Sequence, residues 1–432
     1  MSIIKEFLKN IVIAILRFEA RLVLKKYQPK VVGVTGSVGK TSTKDAVFAV
    51  LANKFKVRAS AKSYNTDFGV PLTVLGCDNA WNDAIGWLEI MLHGLLLLAW
   101  KQDYPEWLVL EVGADRPGDI KRIVKWVKFD VGVVTRLPEV PVHIEFFKNK
   151  HQYLEEKLSL VRSLKETNWA VLNFDDSAIK EVSDHIKTQV IGYGFGTDNK
   201  IQASNVSLHY EGEKLAGLSF KINYNGDTLP IRLNGIVGQH QVYSALAAFG
   251  VGVSQGINLV DIADALSRMP LPPGRLRVLT GIKNTILLDD TYNASPAAME
   301  AGLTTLAEIK TTGKKIAALA DMLELGEHTI EAHRAIGRQV KGIVDDLVLV
   351  GLRAKFIGEG AIEAGFSEKH IHHFDDSVSA GKFIQDLMAE GDIVYLKGSQ
   401  GMRMEKAVEE IMAEPEKKGE LLVRQDGEWQ KR

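Results

Sequence analysis

Eight residues, Thr35 to Ser42 (TGSVGKTS), carry the clearest chemistry in the chain. The apolar run VVGVT (31–35) precedes them and a helical pattern, Lys40–Leu51, follows. A glycine-bearing turn between strand and helix is a phosphate cradle, because free amides and the helix N-terminus supply positive potential. Gly36 and Gly39 permit close backbone approach, with Ser37 and Val38 between them. Lys40 can neutralise β- and γ-phosphates, and Thr41 or Ser42 can ligate Mg²⁺. The spacing departs from the full G-x-x-x-x-G-K-T pattern, since Val34 stands five before Gly39. A purely structural glycine turn is the alternative, and the strand and helix on either side argue against it.

Other candidates are weaker alone. Glu111 ends the apolar strand WLVLEVG, and a carboxylate at the tip of a neighbouring parallel strand is where a nucleotide-bound Mg²⁺ would be met. Asp289 and Asp290 end the strand LLDD and precede Tyr292 and Asn293. They can bind a ribose or orient an amine, or merely cap a turn. Arg275 follows a proline-rich break, Met269–Gly274, where it can bridge two domains across phosphate or form an ordinary interdomain ion pair. His143 and Lys157 lie fourteen positions apart, and spacing alone assigns neither.

These residues need a scaffold. Short apolar strands at 107–113, 131–135, 169–176 and 189–195 alternate with helical stretches, the pattern of a parallel sheet with crossover helices. Residues 201–235 alternate polar and apolar, with turns at Glu211-Gly212 and Asn225-Gly226, and read as antiparallel hairpins. Past the prolines, runs at 284–290, 314–321, 346–351 and 392–398 start a second α/β pattern. The tail LLVRQDGEWQKR reads as a small hairpin or ragged end. The expected fold class is α/β: a P-loop central domain (30–273) with a mostly parallel sheet, then a C-terminal Rossmann-like domain (274–432). An N-terminal apolar helix (1–29) and an apolar insertion (about 77–107) complete the division.

Composition narrows the function. The 432 residues hold 53 Lys plus Arg against 54 Asp plus Glu, which gives no global charge for nucleic acid. One cysteine, Cys77, excludes an intrachain disulfide framework and fits a reducing compartment. No signal-peptide cleavage site is evident, so the cytoplasm is expected. Residues 7–24 and 85–100 are strongly apolar but too short or too interrupted to span a bilayer. They either lie in the membrane interface at its inner face, with Trp81, Trp87, Trp100 and Trp107 as anchors, or pack on each other or a partner.

Several segments together resemble the Mur ligases of bacterial cell-wall synthesis. The carriers are TGSVGKTSTK, SYNTDFGVPLTVLG (63–76), LEVGADRPGDI (110–120), GQHQVYSALAA (238–248), PGRL (273–276), DDTYNASPAAM, ALADMLELGEHTIEAHRAIG (318–337) and YLKGSQGMRME (395–405). They run in the family's order over roughly 30–410, and the pieces at 292–294 and 321–326 are closest to its F-type branch. That resemblance implies an ATP-dependent carbon–nitrogen ligase adding D-alanyl-D-alanine to a muramyl-peptide through an acyl phosphate. It implies that Lys40 and Thr41 hold ATP and Mg²⁺, that Glu111 ligates that metal, and that His143 ligates a second. Lys157 is implied to be the family's carbamylated lysine, whose carboxylate helps bind the second Mg²⁺. Gln241, Arg275 and Asp290 fall where the rest of the nucleotide site is built.

Departures from the family also stand in the sequence. About 30 residues precede the loop, where the family has a UDP-binding domain of about a hundred. Asp119 replaces a Glu, Ser244 an Asn in the adenine-contacting H-N-x-x-N, and Arg136 an Asn after the third strand. Two other readings therefore stay open: a ligase of this fold with a different or lipid-linked acceptor, and a non-catalytic, membrane-associated nucleotide-binding scaffold.

Overall fold

Between Lys30 and Thr35 every side chain is apolar or absent, as a strand covered on both faces requires. In a computed structural model, which describes residues 2–60, 64–81, 83–137, 146–212, 214–269 and 272–430, this run is β1 (Lys30–Thr35). Gly33 lets the sheet lie close to its neighbours, because a Cβ there would sit 2.7 Å from the Phe129 ring. Around β1 assemble β2 (Val57–Ala59), β3 (Trp107–Glu111), β4 (Val131–Val134), β5 (Trp169–Asn173) and β6 (Gln189–Gly194). Then come β7 (Ile201–Glu211), β8 (Lys214–Tyr224) and β9 (Asp227–Asn234). The order is β2-β3-β1-β4-β5-β6-β7-β8-β9, parallel as far as β7 and antiparallel beyond. The hairpin segment thus joins the parallel sheet through β7. Asn225 and Gly226, both at positive φ, make the two-residue turn between β8 and β9.

A second sheet holds β10 (Arg277–Gly281), β11 (Thr285–Asp290), β12 (Lys315–Ala320), β13 (Asp346–Val350), β14 (Ile371–Phe374) and β15 (Ile393–Lys397). Its order is β10-β11-β15-β12-β13-β14, with β10 alone antiparallel. Strands β2, β10 and β14 were not expected from the sequence. They are short edge strands, lacking the long apolar run that marks a buried one.

Helices α1 (Ser2–Tyr27), α2 (Lys40–Ala52), α3 (Gly69–Leu75), α4 (Ala84–Ala99), α5 (Asp119–Val124) and α6 (Lys150–Arg162) flank the first sheet, with α7 (Ser177–Ser183) and α8 (His240–Ser254). The two apolar segments are α1 and α4, and they pack on each other. Lys26 Nζ donates to the carbonyls of Leu97, Leu98 and Trp100, and Tyr27 Oη donates to Leu97. Among the described residues no helix is long and apolar enough to cross a membrane. Among the described residues the tail is no hairpin. The short helix Lys418–Leu421 leads into it and another, Gly427–Gln430, lies within it, and Arg424 between them donates to the carbonyls of Thr291 and Tyr292.

Candidate active site

Strand order decides where the chemistry lies. The chain leaves β1 toward β2 and β3 on one side and later returns to β4 on the other, and a crevice opens outside the strand ends at such a switch point. The loop after β1, Glu111 at the end of β3 and Thr135 beyond β4 meet there. From the second sheet, Asp290 and Lys397 are register partners at the ends of β11 and β15. A cleft of ≈ 1410 Å³ is lined by both halves.

The loop is held by its neighbours. Gly36 has φ 138°, and a Cβ there would come within 2.0 Å of Thr135 Oγ1. That hydroxyl donates to the Val38 carbonyl at 2.7 Å. Arg136 accepts from Ser37 N at 3.1 Å, and Ser37 Oγ lies 2.6 Å from Tyr153 Oη on α6. Gly39, in the left-handed region at φ 83°, turns the chain into α2.

Thr41, in the first turn of α2, is the meeting point. Its Oγ1 donates to Glu111 Oε2 at 3.0 Å and accepts from Arg275 Nη2 at 3.2 Å. The other Glu111 oxygen accepts from Asn65 Nδ2 at 3.2 Å. Glu111 is only 2% exposed, so these bonds offset its desolvation. Lys40 sits at the floor of the cleft, where burial pushes its amine down and Glu111 pulls it back up. Lys157 on α6 is buried over the Tyr153 ring at 5.0 Å, and burial, followed by the nearby Lys40, pushes its amine down to about 7. Its neighbour Glu156 faces another way, accepting from the amides of Gly118, Ile120 and Lys121, and so fixes α5 beneath the site.

The far wall comes from the second sheet. Arg275 is stacked on Tyr292 with 3.9 Å to the ring centroid, and among the described residues it makes no interdomain ion pair with a carboxylate. Asp290 pairs with Lys397 at 2.6 Å and accepts from Tyr395 Oη at 3.3 Å. Gln241 Nε2 donates to the Arg275 carbonyl at 3.0 Å. His240 is held neutral, its imidazole pushed down to about 4 by burial. Ser244 accepts from Thr43 Oγ1 at 3.2 Å.

Ser37, Val38, Gly39, Lys40, Thr41, Ser42, Glu111, Lys157, Gln241, Arg275 and Asp290 all line this cleft; Gly36 lies just behind it. His143 falls outside the described residues. Sequence reasoning gave no role to Lys397, Tyr153 or Tyr292. A lysine ending an otherwise apolar strand, as in DIVYLKG, was the signal available for the first.

The residues fit a nucleotide. Gln241 Oε1, His240 Nδ1 and Arg275 Nε are buried and have no hydrogen-bond partner among the described residues, all on residues that line the cleft. They also fit Mg²⁺, which takes one or two carboxylates and keeps its other positions for phosphate and water. Glu111 and Thr41 would hold it. Among the described residues no group of three or more His, Cys, Asp or Glu forms a protein cage.

Comparison with known proteins agrees with this geometry. Residues 34–252 match the Mur ligase middle domain, and residues 274–400 the Mur ligase, glutamate ligase domain. The chain is 28% identical over 397 residues to the UDP-N-acetylmuramoyl-tripeptide–D-alanyl-D-alanine ligase of Bacillus subtilis, covering 92% of this chain and 79% of that one. It is 30% identical over 403 residues to the Mycobacterium tuberculosis (CDC 1551) protein of the same name, covering 89% and 73%. The crystal structure of the MurF ligase of Thermotoga maritima in complex with ADP superposes with a TM-score of 0.76 at 27% identity, over 94% of this chain and 84% of that one.

Proposed function

Since the chain belongs to the Mur ligase family, we propose that it is an ATP-dependent ligase of peptidoglycan precursor synthesis that joins D-alanyl-D-alanine to a muramyl-peptide. One observation carries the reading. Glu111 from the first sheet and Arg275 from the second half of the chain both bond the Thr41 hydroxyl, so both halves converge on one phosphate-binding turn.

The reaction has two steps. A carboxylate oxygen of the peptide attacks the γ-phosphorus of ATP, the bond to ADP breaks, and an acyl phosphate forms. The amine of the dipeptide then attacks the acyl carbon, the amide bond forms, and phosphate leaves with the electron pair of the broken C–O bond. The loop amides and Lys40 gather the anionic phosphates, and Arg275 adds charge from the opposite wall. Mg²⁺, when bound at Glu111 and Thr41, supplies Lewis acidity and charge neutralisation.

A second Mg²⁺ belongs to this proposal, with His143 and a carbamylated Lys157 as its ligands. Support for the carbamate is physical. Only a neutral amine attacks CO₂, and burial favours the neutral form of Lys157 near pH 7. We locate the reaction in the cytoplasm, where ATP is available, with the α1–α4 pair turned toward the inner face of the membrane.

The test is ligation read by mass spectrometry. With ATP, Mg²⁺, D-alanyl-D-alanine and UDP-N-acetylmuramoyl-tripeptide, an amide product and ADP should appear together. ATP turnover indifferent to the peptide pair would sink the reading.

A further inference from the structure

Helix α4 has almost no polar face: between Ala84 and Ala99 only Glu89 and His93 are polar. A helix apolar all round is normally buried in a core or in lipid. Here one side is uncovered. Ile85, Leu88, Leu92, Leu95 and Leu96 recur at helical spacing and are all exposed, Ile85 at 70%. Alongside, α1 exposes Ile11, Ile15 and Phe18 at the same spacing, Phe18 at 63%.

The two helices run in the same direction, since Glu19 lies against Gly94 and Lys26 reaches Leu97 to Trp100. Their stripes form one surface around a shallow apolar groove that includes Ile15, Phe18, Met91 and Leu95. Glu19 closes its floor, 4% exposed and with Oε2 unpartnered among the described residues, so no solvated polar side chain lines the groove there.

Charge says what covers this surface. The α1 stripe continues at helical spacing into Arg21 and Lys25, both exposed, and α4 ends in exposed Trp100 and Lys101. Residues 1–29 hold six Lys or Arg against two Glu, in a chain whose net charge is −1. A local cationic excess with an interfacial Trp, bordering a broad apolar stripe, matches an anionic lipid surface. Continuity with the cleft gives the surface a use. Trp87 of α4 packs on Phe68 at 5.0 Å and donates from Nε1 to the Trp81 carbonyl, and Phe68 and Trp81 both line the cleft.

We infer that the α1–α4 face docks in the interface of an anionic bilayer, holding the ligation cleft at the membrane surface. The second half of that statement rests on the ligase reading; the docking itself does not.

Flotation of the full chain with vesicles tests it. The chain should float with phosphatidylcholine vesicles that contain phosphatidylglycerol, and less so as salt is raised. The double variant Leu92→Glu, Leu95→Glu should weaken that binding by about tenfold or more. Should that variant fail to fold, Arg21→Glu with Lys25→Glu changes only exposed charges and should weaken binding in the same sense. A parent chain that stays soluble with anionic vesicles overturns the inference, as does a folded variant of either kind that floats like the parent. Sedimentation showing an oligomer dispersed by the leucine variant also overturns it, in favour of a second copy covering the stripe. Ligation of a soluble muramyl-peptide needs no bilayer, so its presence or absence reports on the ligase reading separately.

Discussion

Arg275 Nη2 donates to Thr41 Oγ1 at 3.2 Å, across 234 residues of chain, while its guanidinium stacks 3.9 Å from the Tyr292 ring centroid. The stack fixes the guanidinium plane and the hydrogen bond aims it at the phosphate turn. A lysine could supply the charge but neither the flat stack nor the fork. Arg275→Ala should lower kcat/KM by about 10²–10³-fold, the magnitude found when one preorganised donor to a developing charge is removed. Arg275→Lys should recover only part of it. Steady-state kinetics with varied ATP checks this, and equal activity of the lysine variant and the parent would contradict the positioning role.

Glu111 accepts side-chain hydrogen bonds from Thr41 and Asn65 in a site with almost no solvent. Glu111→Gln keeps the shape but removes the charge that would hold Mg²⁺. The expected outcome is a higher Mg²⁺ concentration for half-maximal activity, with thermal stability of the apo chain little changed. A Mg²⁺ titration of ligation reads it, and an unchanged midpoint would remove Glu111 from the metal site.

How much of this was legible in the sequence follows from the range of each contact. The turn at Gly36–Ser42 and the strand end at Glu111 are local patterns: apolar runs followed by a glycine or a carboxylate, set by the periodicity of strand and helix. Their adjacency follows from parallel pairing, Val34 lying opposite Glu111. The partners of Arg275 and Asp290 are different in kind. Tyr292 lies seventeen residues beyond Arg275, and Lys397 pairs with Asp290 only because β15 inserts between β11 and β12. No periodicity announces a strand order, so the resemblance to a family placed those residues where spacing could not. Edge strands such as β2 and β14 were missed because they are short and half-exposed.

Gly36 offers a prediction about folding as well as binding. Its φ of 138° is strained for an L side chain, and an added Cβ would meet Thr135 Oγ1 at 2.0 Å. Gly36→Ala should therefore cost about 1–3 kcal/mol of stability, and it should break the Thr135 bond that shapes the loop. Chemical denaturation gives the first number and nucleotide titration the second effect. A stable variant with normal ATP affinity would contradict this account of the turn.

Asp290 and Lys397 form a buried pair at 2.6 Å, with Lys397 also donating to the Asn293 carbonyl at 2.9 Å. Removing one partner leaves the other charge buried and uncompensated. Lys397→Met alone should destabilise by about 3–5 kcal/mol, and Asp290→Leu with Lys397→Met should recover much of that loss while leaving ligation impaired. Denaturation of the single and double variants reads the coupling. If the two losses simply add, the pair is not the unit the geometry indicates.

Lys157 gives the sharpest dependence on pH. Burial holds its amine at about 7, far below an ordinary lysine, so below pH 7 Nζ is an ammonium and above it a free amine. Carbamylation consumes the free amine, and ligation should therefore rise with pH through about 7 and be stimulated by bicarbonate. The linkage has the same sign for the unmodified chain. Between about 7 and the ordinary lysine range the unfolded state binds the extra proton, so folding stability also rises with pH across that window. Lys157→Ala should remove most of the ligation, and bicarbonate should not restore it. Mass spectrometry under native conditions, reading the added carbon dioxide on the parent and its absence in the variant, separates the carbamate from a merely structural lysine. Undiminished ligation in Lys157→Ala would refute the carbamate outright. A loss of ligation with no added mass on the parent would leave Lys157 as a cationic partner of the phosphates instead.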